Sequence, residues 1–560
     1  MRKENCLLVL VGLLISSFSN AQYKTTFTHA DTVRGSITPE RAWWDVLRYD
    51  ITVKPDYINK TTEGKNIITY KVLNDHHPNI MQIDLQDTLK IDSILLNGQR
   101  LSFTKDGNVW YVKVPDQKKS SVQAVTVFFS GKPRLAPRPP WDGGWSFIKD
   151  SLGRPWMTVT CQGTGASVWY PCKDHQSDEP GNGASLTMIV PDTLVAVGNG
   201  RLQSKKLNDD GTATYTWAVL NPINNYDIIP YIGKYVNFGE TYSGEKGKLD
   251  VNYWVLDYNL VKAKNYLPNE VHNMLKAFEY WFGPYPFYED GYKLVDTQHP
   301  GMEHQSAVAY GNWYTGGYRK RDASGTGIGM KWDFIVVHES GHEWFGNNIT
   351  TKDLADMWVH EGFANYSETV FIDYIFGKDA ANEYNYGIRR GIRNDRPIIA
   401  KYDVNDEGSG DMYPKGGNLL HAIRHSVDND ELFRKILRGL NKDFYHQTVT
   451  SKQVENYISQ KSGYDYSKVF DQYLRTTQIP KLEFYIDGNK VFYRWTNCIK
   501  GFHLPLVLKD EKSKIRVVPT EQWKSTVLKN DEVDLFTENA IERMYYIDAV
   551  LVGKNKTSSQ

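Results

Sequence analysis

Apolar and polar residues alternate along most of the chain between residues 41 and 245. ITVKPDY from Ile51, NIITYKVL from Asn66, WYVKV from Trp110 and VQAVTVFF from Val122 are short, β-branched or aromatic, and bounded by Gly, Pro, Asn and Asp. Successive side chains of a strand point to opposite faces, so these segments predict half-buried strands. No long helical period interrupts them, and the region reads as a β-sandwich or a saddle-like sheet domain. One segment breaks the alternation: PRLAPRPPWDGGW from Pro133, a long loop dense in Pro, Gly and Trp. Loops of that length are usually functional or ordered against a neighbouring domain.

The period changes near residue 260. VKAKNYLPNEVHNMLKAFEYWFG has apolar residues at helical spacing and stops at Gly283-Pro284. KLVDTQ from Lys293 reads as a strand and leads into GMEHQSAVAYG; helical patterns then dominate from about 328 to 475. Strands return near 480, where KLEFYIDGNKVFYRW carries the hairpin signal Asp487-Gly488. LPLVLKD and KIRVVPT continue that theme into a small C-terminal β-sandwich. A chain of 560 residues is too long for one core, and three or four domains are expected. The division expected is a signal peptide over 1–21, an N-terminal β domain over 22–246, a mainly helical domain over 247–478 and the β-sandwich over 479–560, a multidomain α+β chain.

The signal peptide rests on Arg2 and Lys3, an apolar run from Leu7 to Ile15 too short to span a bilayer, and Ser19 and Ala21 before a cleavage point at Gln22. No other segment has membrane-spanning length, so the protein is expected to be exported, periplasmic or secreted. Charge is balanced at 66 basic against 66 acidic residues with no basic block, which argues against nucleic acid as a partner. Cys161, Cys172 and Cys498 lack CxxC spacing. Cys161 and Cys172 either pair in an oxidising compartment or are two buried thiols on neighbouring strands.

The chemistry lies in HESGH, from His338 to His342. Two His at i and i+4 share one face of a helix and reach one tetrahedral metal, with Glu339 beside them to hold the metal's water. A second helix begins at HEGFANYSE and offers Glu361 as third ligand. This is a metallohydrolase pattern. Trp332, Phe334, Ile335, Val336 and Val337 run into the motif, so its helix is buried and its polar side chains need a partner. The second helix shows an apolar face of Trp358, Phe363, Tyr366, Phe371 and Ile375. Metal-bound His usually donate their other ring nitrogen to a carboxylate or carbonyl, for which Asp356 and Glu368 are the candidates. His272, His299, His421 and His425 read as surface or packing residues.

GMEHQ from Gly301, HESGHEWFGN, MWVHEGFANYSE from Met357 and MYPKGGNLL from Met412, in this order and spacing, resemble the M1 family of zinc aminopeptidases, the gluzincin group that includes leukotriene A4 hydrolase. The resemblance covers nearly all of the chain after residue 21. It implies a saddle-shaped N-terminal β domain, a thermolysin-like catalytic domain and a C-terminal β-sandwich. It implies one zinc per chain on His338, His342 and Glu361, Glu339 as general base and acid, and Tyr413 as stabiliser of the oxyanion. Gly301, Met302 and Glu303 of the first motif would bind substrate, with Glu303 on the free α-amine of a peptide. Gln162, in TCQGTGASVWYPCKD, would accept a further hydrogen bond from that amine. The departures are His304 in place of Asn, Ser340-Gly341 inside the metal motif, His360 where Asn is common, and Pro414 in place of Glu. His360 should face away from the metal. The further C-terminal helical domain of most members is not expected here, which bears on how the cavity closes. Two rival classes remain: a zinc endopeptidase of the thermolysin kind, which needs no amine clamp, and a binding protein on a degenerate peptidase fold, which should have lost a ligand or the base.

Overall fold

In the computed structural model, which describes residues 26–553, the alternating region is built of three sheets. The largest has eight strands. Its strand Trp44–Asp56 pairs antiparallel with Thr61–Val72 and parallel with Ala184–Pro191. Along Thr61–Val72 burial follows the two-residue period: Asn66, Ile68, Tyr70 and Val72 point inward. With Trp44, Ile51, Val53, Val127 and Phe129, the three apolar ones, Ile68, Tyr70 and Val72, form part of the core of this region. A four-stranded sheet holds the hairpin Gly144–Lys149 and Pro155–Thr160. Gly144 has φ +136°, and a Cβ there would lie 2.5 Å from the Arg134 carbonyl oxygen, so the Pro-rich loop closes back on itself only because this residue is glycine. Strand Pro155–Thr160 runs straight into Gln162.

The next sheet has five strands in the order Tyr235–Gly244, Gly247–Leu256, Tyr292–Asp296, Val308–Tyr310 and Gly301–Met302. The first two are one hairpin, so the boundary expected at 246/247 falls on its turn. Gly247–Leu256 pairs parallel with Tyr292–Asp296, which ties the whole hairpin to the following region, and in sheet terms the division lies just before Tyr235. Gly301–Met302 forms the edge of this sheet.

Of the eight α-helices between residues 260 and 475, five bear on the metal motifs. They are α1 (Leu260–Phe282), α2 (Phe334–Gly341), α3 (Trp358–Phe376), α4 (Lys378–Ile388) and α5 (Pro414–Val427). α3 touches the other four and is buried at every residue from Trp358 to Ile372. The apolar face expected of it is therefore replaced by burial on all sides, as for a helix at the centre of a large core. Small residues let its neighbours approach. A Cβ on Gly341 would meet Ser367 Oγ at 2.4 Å, and one on Gly416 would meet the Gly362 Cα at 3.0 Å.

Lys524–Val527, Lys490–Thr496, Lys481–Asp487 and Asp548–Leu551 form a four-stranded sheet, joined by a ribbon of Leu506–Lys509 and Lys514–Val517. Gly488 takes the hairpin turn at φ +62°. These strands share one apolar core with the helices, from Tyr242 to Ala549. After Arg475 the described residues hold only two short helices, Asn530–Val533 and Glu538–Met544. No helix among the described residues is long and apolar enough to cross a membrane. Cys161 and Cys172 are buried and unpaired. The expected signal peptide lies outside the described residues.

Candidate functional site

Asp333 caps α2, its carboxylate accepting the Val336 N–H at 3.0 Å while Tyr310 and Asn312 donate to it. The helix ends directly after the metal motif. Phe345 and Gly346 leave helical geometry, Gly346 at φ +135°, and the Phe345 carbonyl turns back to accept from His342 Nδ1 at 3.1 Å. α3 brings Glu361 to the same place: its Oε2 lies 3.4 Å from His342 Nε2 and 3.8 Å from His338 Nε2. One ligand atom from each of the three lies within 4.8 Å of the others. Glu361 Oε2 is buried and has no hydrogen-bond partner, a costly state that a bound cation would relieve. Two imidazoles and a carboxylate with a fourth position open are a zinc donor set, and the residues present fit that metal.

His338 is held from behind. Its Nδ1 lies 2.7 Å from Glu368 Oε1, which also accepts from Asn365, while Tyr384 donates to Glu368 Oε2. Glu361, Asn365 and Glu368 lie at i, i+4 and i+7 on one face of α3. Asp356, the other candidate for this support, bonds Tyr402 and Ser451 instead. His360 turns away from the triad, its Nε2 accepting the Thr351 N–H at 3.0 Å.

Glu339 sits between the triad and the edge strand. A Cβ on Gly301 would lie 2.6 Å from Glu339 Oε1, so the strand reaches the carboxylate only as glycine. Burial raises the Glu339 carboxyl to about 7, opposed by the charge of His338 and reinforced by that of Glu303. The Tyr413 ring stacks on His338, with centroids 6.0 Å apart. Burial, then the carboxylates of Glu361 and Glu407, hold its hydroxyl protonated well above the ordinary range.

Glu303 follows the edge strand and is 2% exposed. Its carbonyl accepts from Asn347 Nδ2 at 2.8 Å, which pins it to the metal motif. Its Oε1 accepts from the Gln162 amide and from the Tyr226 hydroxyl, the latter at 3.1 Å. The Gln162 amide also lies 3.4 Å from Glu361 Oε1, so this one side chain bridges the carboxylate pocket and the metal triad. In this arrangement Gln162 is a donor to Glu303, and its carbonyl oxygen is left to accept. Burial pushes the Glu303 carboxyl up, with His342 opposing. His304 bonds the Tyr231 hydroxyl at 2.5 Å, and that hydroxyl donates to Ala307 O, so the residue that departs from the family pattern anchors the turn rather than entering the cavity.

Gln162, Gly301, Met302, Glu303, His338, Glu339, His342, Glu361 and Tyr413 all line one cavity of about 1390 Å³. Tyr226 had no signal in the sequence: NNYDIIPY shows neither motif nor period, and only the fold brings it to Glu303.

A model described as the peptidase family M1 domain matches residues 269–473. Aminopeptidase N of Lactococcus lactis subsp. lactis is 23% identical over 466 residues, covering 77% of this chain and 51% of its own length. Leucyl aminopeptidase of Saccharolobus solfataricus is 23% identical over 421 residues, covering 72% and 50%. The chain thus spans about half the length of these curated relatives. Among solved structures, an M1 zinc metallopeptidase from Deinococcus radiodurans superposes with a TM-score of 0.66 at 20% identity, over 78% of this chain and 94% of that one. A mutant of that protein has been solved with a Tyr-Ser-Ala substrate bound.

Proposed function

We propose, on the premise that this chain belongs to peptidase family M1, that it is a zinc-dependent aminopeptidase that hydrolyses the first residue from peptides with a free N-terminus. One observation carries the reading: a buried carboxylate, Glu303, lies in the same cavity as the candidate metal triad and is bridged to it by Gln162.

His338, His342 and Glu361 would hold one zinc. When bound, the metal would supply a Lewis acid and would lower the pKa of a water toward about 7. Glu339, its carboxyl raised to about 7 by burial, is placed to accept a proton from the attacking water and would return it to the leaving amine. Tyr413 keeps its proton and donates it as a hydrogen bond to the oxygen that gains charge. Glu303 pairs with the substrate ammonium, a charge-assisted contact in a partly desolvated pocket. The edge strand Gly301–Met302 has no second strand beside it among the described residues, so its backbone groups are left for an extended peptide. Cleavage after the first residue follows from Glu303 standing beside the triad, its carbonyl held by Asn347 and its carboxylate bridged to Glu361 by Gln162.

A thermolysin-like endopeptidase needs no buried carboxylate for an ammonium, and a degenerate binding protein would not keep the triad, Glu339 and Tyr413 together. The test compares free and N-acetylated versions of the same peptides, with and without phenanthroline. Free peptides should lose one residue at a time, acetylated ones should resist, and the chelator should abolish release until zinc is restored. Internal cleavage of the acetylated set would replace this reading with the endopeptidase.

A further inference from the structure

The cavity is lined by two kinds of charge at two depths. Glu303, Glu339, Glu361 and Glu368 are buried, whereas Arg138, Arg390 and Arg393 line the same cavity and are exposed. The inner end is acidic, and the exposed part of the lining carries these three arginines against one exposed carboxylate, Glu407. Of the other arginines of the lining, Arg134 pairs with Asp142 at 2.5 Å, Arg396 pairs with Asp406 at 3.4 Å, and Arg34 donates to the Gly163 carbonyl at 2.7 Å. Arg390 gives its donors to the backbone carbonyls of Ala323 and Asp322. Among the described residues no carboxylate forms an ion pair with Arg138, Arg390 or Arg393; Asp395, near Arg393, is bonded to Ser409 Oγ.

Arg138 reaches the mouth on the Pro-rich loop that the two-residue period of the N-terminal region could not explain. Trp141 of the same loop also lines the cavity and is 62% exposed. Arg390 and Arg393 come from the segment after α4. Elements of both halves of the chain therefore bring guanidinium groups without an ion-pair partner among the described residues to one opening, Arg390 with part of its donors held by backbone carbonyls. A guanidinium presents a planar fork of donors matched to a carboxylate. The cavity of about 1390 Å³ exceeds the roughly 300–1,000 Å³ usual for a small-molecule site, so it has room for residues beyond the first.

We propose that Arg138, Arg390 and Arg393 form a carboxylate-binding rim, so that the preferred substrates are short peptides carrying a carboxylate that reaches the rim while the N-terminus lies on Glu303. The proposal rests on the aminopeptidase reading. The carboxylate is supplied either by the peptide's C-terminus or by an acidic side chain, and the same chemistry recognises both.

The test uses peptides of three to five residues, each as free acid and as C-terminal amide, and a second amidated set with Glu or Gln at the third position. At low salt the carboxylate form of one length or position should be favoured by roughly tenfold in kcat/KM, mainly through KM, as one charge-assisted hydrogen bond allows. The preference should shrink at about 0.5 M salt, because the rim is exposed. A difference between acid and amide identifies the C-terminus as the source; a difference between Glu and Gln in the amidated set identifies a side chain. In the triple variant Arg138→Gln, Arg390→Gln, Arg393→Gln the ratio should fall toward one. Equal rates for every matched pair, or a preference that persists in the triple variant, would overturn the rim. Equal rates leave the aminopeptidase reading standing, whereas failure to release a first residue from any peptide sinks that reading too. The comparison of matched peptides needs only the unmodified protein, so poor folding of the variant leaves it decisive.

Discussion

His338, His342 and Glu361 stand on two helices that are neighbours in sequence and in space, while Glu303, Gln162 and Tyr226 meet from segments as much as 141 residues apart. The metal side is thus local. α2 places two imidazoles one turn apart, α3 places Glu361 and its supporting Glu368 two turns apart, and Gly341 lets the helices touch. The clamp side is a tertiary construction. Gln162 leaves the end of a strand of the N-terminal region, Tyr226 sits on the single 3₁₀ turn Asn225–Asp227, and Glu303 sits behind an edge strand of the next sheet. Errors of packing anywhere between those regions would move the clamp, whereas the triad depends on one helix pair. This leads us to expect larger losses from mutation on the metal side than on the clamp side.

The same difference decides what could be read before folding. HESGH and HEGFANYSE name the triad because helical spacing converts sequence distance into geometry, and Glu368 was reachable by counting turns from Glu361. The strands at 51, 66, 110 and 122 were legible because one face of each is buried. α3 differs from a one-faced helix: its periodic apolar residues are real, but the polar ones between them are buried as well, His360 accepting from Thr351 on a neighbouring strand and Ser367 donating back to Ala364 of its own helix. The hairpin Tyr235–Leu256 was divided at its turn, since nothing in its composition tells which sheet it joins. Gln162 and Glu303 came from likeness of motif, and Tyr226 from neither motif nor pattern.

The sharpest challenge to the local half is Glu339→Gln. The amide keeps shape and removes the proton acceptor, so kcat should fall by at least ~10²–10⁴ with zinc content unchanged. Metal analysis beside steady-state kinetics checks both parts. Retained turnover would assign the base elsewhere and dissolve the contrast between the halves.

Glu368→Gln probes whether the support behind His338 belongs to the metal side. Loss of the carboxylate behind a ligating imidazole typically costs about 10–100-fold in metal affinity. Zinc titration into apoprotein should show that weakening, and activity should return when zinc is raised to saturation. Unchanged affinity would mean that Glu368 serves Tyr384 and Asn365 alone, as a packing carboxylate.

Tyr226→Phe should give the smallest effect and the most informative one. The ring is kept, and only the hydroxyl that donates to Glu303 Oε1 at 3.1 Å is removed. Glu303 retains the Gln162 amide and its backbone anchor on Asn347, so the carboxylate stays in place but less firmly oriented. A hydrogen bond to a charged group contributes ~1.5–3 kcal/mol, and the substrate ammonium restores part of it, so KM should rise about three- to tenfold. The reacting groups are untouched, and kcat should stay within about twofold, the split expected when ground state and transition state lose the same contact. Discrimination against acetylated peptides should survive, because the negative charge survives. If kcat instead fell as far as KM rose, Tyr226 would be positioning the triad through the Gln162 bridge to Glu361, and the two halves of the cavity would be one coupled unit.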